Sequence, residues 1–366
     1  MKQKILALAT TLALCIALVG CSLSTPESVG TVGGVEISSG LYLLAQYNAY
    51  QSAASYADSD QDTGKPSKFL KQTINVGDEE NADNQTVSDY VSAKTLETLR
   101  NYAAVEVMFD EMGGELTDAE IAAADSYAQQ LMDNYGDTYS ANGIGLSTLQ
   151  SYERNLYKTN ALLELLYGQN GSDAVSDAEL TAYMNSNLIN ATYVTIPLYN
   201  ISTFVFADSD QTTQMVALAK EAAAACNALD GDVEENFDEV LHEYMPQIYA
   251  VMDMDYSEDD LHSDLQSALF TQSDLSTYFN DEAQTVLGSL AFDQVAAVQY
   301  SDYSIIILLR TDPIAEYSLD SVRSTALSDM KSDDLNDAIA ARGAELDVAL
   351  DSSATSKLPA KKISIS

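Results

Sequence analysis

The sequence holds no tryptophan, two histidines, three cysteines, and 17 lysines and arginines against 56 aspartates and glutamates, for a formal net charge of −39. Each shortage removes a class of function. With so few cations the surface has little to set against phosphates, which excludes nucleic acid and anionic lipid headgroups as partners of the chain's own surface. No C-x-x-C pair, no G-x-S-x-G turn and no Walker-type phosphate loop occurs, so redox, acyl-transfer and nucleotide chemistry have no obvious seat. The expectation is a chain with no cofactor and no metal. What is present is ordinary for a packed protein. Hydrophobic residues make up 46% of the chain, too many for a disordered acidic tail. The surplus of carboxylates keeps such a body soluble and favours cationic partners or divalent ions.

Lys2 and Lys4 precede an apolar run, Ile5–Val19, that is too short to cross a bilayer as a helix and reads as a secretory leader. The run closes on Leu18-Val19-Gly20-Cys21, which resembles the bacterial lipobox. That resemblance implies that residues 1–20 are removed and that Cys21 is diacylated on sulfur to become the mature N-terminus. An ordinary leader with an incidental cysteine is the competing reading. On the lipobox reading Cys15 leaves with the leader, Cys21 is blocked and Cys226 is the one thiol left. No intramolecular disulfide is then possible, and the fold must rest on its core. About 345 residues remain, enough for two or three domains.

Residues 21–28 read as an anchor and tether. Val29–Ile37 carries two β-prone runs around Gly33-Gly34, a hairpin signal, and a helix is expected from Ser39 to Tyr56. Residues 57–85, polar and broken by Gly64, Pro66 and Gly77, read as a long exposed loop. A helix is expected over 86–112, stopping at Gly113-Gly114. Another opens on the capping box Thr117-x-x-Glu120, with Ile121, Ala124, Ala128, Leu131 and Tyr135 on one face and an end at Gly136. A third starts near Ser147 with Leu149, Tyr152, Leu156, Leu163 and Leu166 on one side. A fourth opens on the box Ser176-x-x-Glu179. Such apolar stripes need partners, which implies a helical bundle or clamp. From residue 189 the texture changes. Residues 191–198 read as a strand, 211–229 as an Ala-rich helix, and a further helix begins near Asn236. Residues 252–264 read as acidic and irregular, and 281–290 as a short helix. Residues 294–299 and 303–310 read as strands joined at Ser301-Asp302. This order fits a small α+β domain. Residues 319–350 read as helix and 353–366 as a polar tail.

Four segments carry a family resemblance. They are VGTVGGVEIS (29–38), VSDAELTAYMNSNLINATYVTIPL (175–198), ALAKEAAAACNALDGDVEENFDEV (217–240) and DEAQTVLGSLAFDQVAAVQYSDYSIIILLR (281–310). In that order they resemble the PrsA/SurA-like extracytoplasmic foldases, in which a parvulin-type prolyl isomerase domain is set into a helical one. The resemblance implies an α+β protein. A mainly helical, SurA N-terminal-like chaperone domain (29–188, completed by a C-terminal helix at 316–352) would hold an inserted parvulin-like domain (189–315). It further implies a protein at the extracytoplasmic face of the cell membrane, anchored in the bilayer by its lipid and assisting exported or unfolded polypeptides. A homodimer is compatible with this layout.

The sequence departs from the family where active members do their chemistry. They place one histidine in the first strand of the parvulin domain and one in the last, around an apolar proline pocket. Tyr193 and Ser304 align with those positions, and Phe237 aligns with the family's phenylalanine. The chain's own histidines, His242 and His262, lie elsewhere, and Ser273–Ser276 is the nearest stand-in for the family's glycine-rich turn. Proline isomerisation faces a barrier of about 18–20 kcal/mol. Without both imidazoles the expectation is weak catalysis or none. Tyr193 admits a catalytic reading, by hydrogen bonding, and a packing reading; Phe237 admits a pocket reading and a core reading. Asp253, Asp255, Ser257 and Asp264 have part of the spacing of a calcium loop, but Glu258 stands where the turn wants glycine. His242 and His262 are expected at the surface in an acidic context, and Cys226 as a small buried residue. Three alternatives stay open: an active isomerase using other residues, a solute-binding lipoprotein and a structural surface lipoprotein.

Overall fold

The computed structural model describes residues 26–77, 81–313 and 319–365. The expected leader and Cys21 lie outside the described residues. The chain divides into two compact units, one made of the residues up to Leu165 together with 333–366, the other of Leu166–Ser332. The resemblance implies borders at 188/189 and 315/316, the first of them where the sequence texture changes. Helices and small antiparallel sheets make this an α+β protein.

Unit one opens with β1 (Ser28–Val32) and β2 (Val35–Ser38), paired antiparallel across Gly33-Gly34. Both glycines have positive φ, 56° and 82°, as a two-residue hairpin with the right twist demands. Ser38 then caps α1 (Ser39–Ser55) by accepting from the Leu41 N–H. Residues 57–85 are not the exposed loop expected. They form a one-turn helix α2 (Pro66–Phe69) and a ribbon of β3 (Thr73–Asn75) with β4 (Asn84–Thr86). Phe69 and Ile74 are buried beside Ala49, Tyr50, Val87 and Val91. Tyr50 meets the Phe69 ring edge-on and donates to the Thr63 carbonyl, and burial pushes its phenol up to about 12.

The helices α3 (Val87–Glu111), α4 (Asp118–Ala141) and α5 (Leu146–Tyr167) follow. The Thr117/Glu120 capping box forms as expected. The expected stop at Gly136 does not occur. The chain kinks at Tyr135 (φ −128°), runs on as helix and ends before Gly143, whose φ is 74°. A mid-helix glycine costs roughly 1 kcal/mol against alanine. The turn beyond it brings Tyr139 against the cluster of Leu44, Ala128, Ile144 and Leu149, which offsets that cost.

Unit two begins its regular structure with α6 (Asp177–Asn187), opened by the Ser176/Glu179 box. Its centre is a four-stranded sheet of order β6-β5-β8-β7, antiparallel throughout. The strands are β5 (Ile189–Pro197), β6 (Gln266–Phe270), β7 (Gln294–Ser301) and β8 (Ser304–Thr311). Between β5 and β6 run α7 (Ser209–Asn227), α8 (Val233–Ala250) and α9 (Glu258–Asp264); between β6 and β7 run α10 (Gln272–Tyr278) and α11 (Asp281–Gly288). The helix α9 replaces the second half of the stretch 252–264 that read as irregular, and β6 follows it. Ser273–Ser276 is part of α10 rather than a turn.

Seven of the eight β8 residues are buried, because the strand is covered on both faces. Ile305, Ile307 and Leu309 join Val194, Ile196, Val295 and Ala297 against α7 and α8. Ile306 and Leu308 join Ile189, Ala191 and Val298 against α10 and α11. This is the continuous apolar run expected of a strand buried on both sides. Arg310 ends the run by donating to the carbonyls of Asn185, Leu188 and Leu290. Burial without a carboxylate partner pulls its guanidinium below the usual range.

The chain returns to unit one within α12 (Leu319–Glu345). Residues 346–350, expected as helix, instead yield β9 (Val348–Leu350), paired antiparallel with β1 to complete a sheet of order β2-β1-β9. The expected polar tail is docked. Ala354 of α13 (Ser352–Thr355) and Leu358 enter the core with Val29, Val32, Ile37 and Leu41. Asn142 and Ser364 exchange two hydrogen bonds of 2.8 and 2.9 Å.

Candidate functional site

The sequence reading named Tyr193, Ser304 and Phe237 as pocket candidates. The sheet register separates them. Tyr193 lies opposite Leu308, and Ser304 opposite Pro197. Side chains alternate along a strand, so Tyr193, Ser304, Ile306 and Leu308 share one face. Four residue steps part Tyr193 from Ser304 along the strand direction, roughly 13 Å. Phe237, in α8, is 2% exposed and packs in the cluster on the other face of the sheet. It is a core residue with no part in a site beside Tyr193.

What surrounds Tyr193 is aromatic. Its ring lies 5.4 Å from that of Phe270, at the end of β6; Phe270 meets Phe279 at 5.4 Å, and Phe279 meets Tyr300 at 5.3 Å. Leu275 of α10 packs into the same cluster. The Tyr193 hydroxyl donates to Gln266 Oε1 across the β5–β6 pair at 3.0 Å. Burial, with the Tyr300 phenol nearby as a second cause, raises the pKa of Tyr193. A phenol held protonated in this way donates hydrogen bonds and does not serve as a base near neutral pH. Tyr193, Phe270 and Tyr300 are half-buried, so the face presents apolar ring surface with hydroxyls beside it. Such a face can pack against other apolar side chains.

Phe270, Phe279 and Tyr300 escaped the sequence reading. The signal was there in part. Ser267-Ala-Leu-Phe270 is a short strand-like run, and Thr271-x-x-Asp274 after it is the capping box that opens α10.

The remaining singled-out residues are elsewhere. The rings of His242 and His262 meet edge-on at 5.9 Å, with Asp238 3.4 Å from His242 Nε2. Among the described residues no group of three or more histidine, cysteine or acidic side chains is arranged to hold a metal ion. In the acidic stretch, Ser257 is used to cap α9 and Asp264 accepts from the Tyr256 hydroxyl. Cys226, on the buried face of α7, is in the core, where burial raises its thiol pKa. In unit one, Tyr102, Phe109, Ile121, Arg154 and Lys158 line an open groove of about 560 Å³. There Lys158 pairs with Glu106 at 2.5 Å, and Arg154 with Asp125 at 2.6 Å. No helix among the described residues is long and apolar enough to cross a membrane.

Fold and site together define an α+β protein with an aromatic-lined sheet face. No protein-family model matches the chain, and no curated protein does. Among solved structures it is similar to the foldase protein PrsA from Streptococcus pneumoniae, at 15% identity and a TM-score of 0.39, over 79% of this chain and 100% of that one. It is also similar to PrsA from Bacillus subtilis (14%, TM-score 0.29, 75% of this chain and 91% of that). The foldase protein PrsA from Lactococcus lactis is a third (14%, TM-score 0.34, 92% and 99%). At these identities and TM-scores the functional reading has to rest on this chain's own residues.

Proposed function

We propose that this protein is a foldase-like chaperone, held at the extracytoplasmic face of the membrane by lipid on Cys21, that binds unfolded exported polypeptides. Isomerase activity is weak or lost. The observation that carries the reading is the half-buried aromatic face of Tyr193, Phe270 and Tyr300, with buried Phe279 beneath it. It offers ring surface to apolar residues of a client while lacking an imidazole at either position where the resembled family keeps one. The ordered motifs in the sequence support the same reading. So does the pairing of the first strand with the last, which leaves residues 166–332 as an inserted unit. On this proposal unit two is a parvulin-like domain that has kept its binding face, and unit one is the chaperone-like body.

Two assays test it. The full chain should suppress aggregation of an unfolded model protein at near-stoichiometric ratio, and a protein that leaves the light-scattering curve unchanged is no chaperone. In a protease-coupled assay on a proline tetrapeptide the rate should match the uncatalysed one. A faster rate that Tyr193→Phe removes would make the protein an isomerase with a phenol in place of imidazole. For the anchor, Cys21→Ala should move the protein from the membrane fraction to the soluble one.

A further inference from the structure

Unit two carries a second apolar surface, at the end of the sheet where β5 leaves and β8 enters. Ile201, Phe204, Val205, Phe206 and Tyr303 are all more than half exposed, Phe204 by 74%. Their rings are organised. Tyr199 stacks on Phe204 at 6.5 Å and meets Phe206 edge-on at 5.9 Å, and Phe206 lies 5.3 Å from Tyr303. Large apolar side chains gathered in water mark an interaction surface.

The loop that presents them is held from within. Tyr199 and Phe206 form a β-bridge, and the Asn200 N–H donates to the Val205 carbonyl. Asn200 Oδ1 accepts from the N–H groups of Ser202 and Thr203, while its Nδ2 donates to the Met252 carbonyl at 3.1 Å. Phe204 has φ of 56°, a left-handed conformation that bulky residues rarely adopt.

The charge around the patch selects its occupant. Exposed Asp302 precedes Tyr303, exposed Asp208 follows Phe206 by two residues, and exposed Asp253 follows Met252, to which Asn200 is bonded. Between Lys158 and Arg310 the sole cation in the sequence is Lys220. A second copy of this chain would bring the same carboxylates to the contact, and an anionic bilayer would be repelled. We infer that the patch of Ile201, Phe204, Phe206 and Tyr303 is a docking surface for apolar segments of unfolded polypeptide flanked by lysine or arginine. This deepens the chaperone reading and rests on it for the nature of the ligand. Rings would bury the client's apolar side chains, and the surrounding carboxylates would attract its cations and speed encounter.

The full chain is titrated by fluorescence polarisation with three labelled peptides of equal length: an apolar core flanked by lysines, the same core flanked by glutamates, and a polar core flanked by lysines. The first should bind about tenfold or more tighter than either of the others, and added salt should narrow its lead over the glutamate peptide. The double variant Phe204→Asn/Phe206→Ser should lose about tenfold in affinity for the first peptide with an unchanged melting temperature. Asparagine tolerates the positive φ at 204, so the backbone is not the cause. Ile201→Ser provides the second variant and should weaken binding in the same direction. Equal binding by the variants, or by the glutamate-flanked peptide, overturns the inference. So does a wild-type dimer that the double variant dissolves in sedimentation, or binding to phosphatidylglycerol vesicles that it abolishes. Aggregation assays separate the two readings. If the double variant suppresses aggregation as well as wild type does, this surface falls and the chaperone stands. If wild type shows the peptide pattern yet suppresses nothing, the surface stands and the chaperone falls.

Discussion

The two units close in different ways. Unit two is one continuous stretch of chain, and its centre is β8, a strand buried on both faces with β5 and β7 beside it. Unit one is made of two stretches. Its central strand β1 sits between β2, three residues away, and β9, which lies more than three hundred residues on. The difference teaches where stability is vulnerable. In unit two the core is apolar mass that a single cavity would weaken. In unit one the cluster of Val29, Val32 and Ile37 includes Ala354 and Leu358, so its integrity depends on a distant segment arriving and staying.

Hydrogen exchange read peptide by peptide, alongside calorimetry, distinguishes the units and puts this contrast at risk. The largest effect should come from ending the chain at Glu345. Unit one loses β9, Ala354 and Leu358, and its protection should fall by about 5 kcal/mol, while the β5–β8 sheet keeps its own. Loss of protection across both units alike would break the comparison. Next, Ile307→Ala opens a cavity in a fully buried strand position of unit two and should cost about 3 kcal/mol there, leaving the β1–β9 pairing intact.

Gly30→Ala is smaller and more local. Gly30 has φ of 119°, and a Cβ on it would lie 2.3 Å from the Ala349 carbonyl oxygen. The added methyl should push β9 off β1 at a cost of about 2 kcal/mol, seen as faster exchange at 348–350. The smallest change expected is at Glu153, whose side chain is buried in unit one and whose carboxyl pKa burial raises. A raised folded-state value means that the contribution to stability is full below the unfolded pKa and is lost as pH rises through the folded one. Glu153→Gln should therefore stabilise unit one by about 1 kcal/mol at neutral pH, and the gain should vanish on acidification to below the ordinary glutamate range. A gain that persists at low pH would place the cause elsewhere.

Of the aromatic face Tyr193 alone was legible. It stands out because the strand that carries it, 191–198, is strongly apolar and aligns with a known pattern. Phe270, Phe279 and Tyr300 did not, since β6 is an edge strand whose outer residues are exposed and whose apolar signal is three residues long. Phe237 was drawn into the site by its alignment, yet the sheet puts it on the opposite face from Tyr193. The exposed rings at 199–206 drew no reading, because exposure is not written in residue type.

The sequence by itself determined the helix starts at Thr117 and Ser176, the hairpin at Gly33-Gly34, the strand at 303–310 and the acidic character of the surface. Each of these depends on interactions within a few residues or on composition, and so is decided before the chain folds. Only the tertiary structure decided that Val348–Leu350 is a strand, that Phe69, Ile74 and Leu358 are core, and which aromatic rings gather at Tyr193. Those outcomes depend on partners far away in the chain. A short segment of modest propensity takes the conformation that satisfies its backbone and buries its side chains against whatever neighbour the fold brings to it.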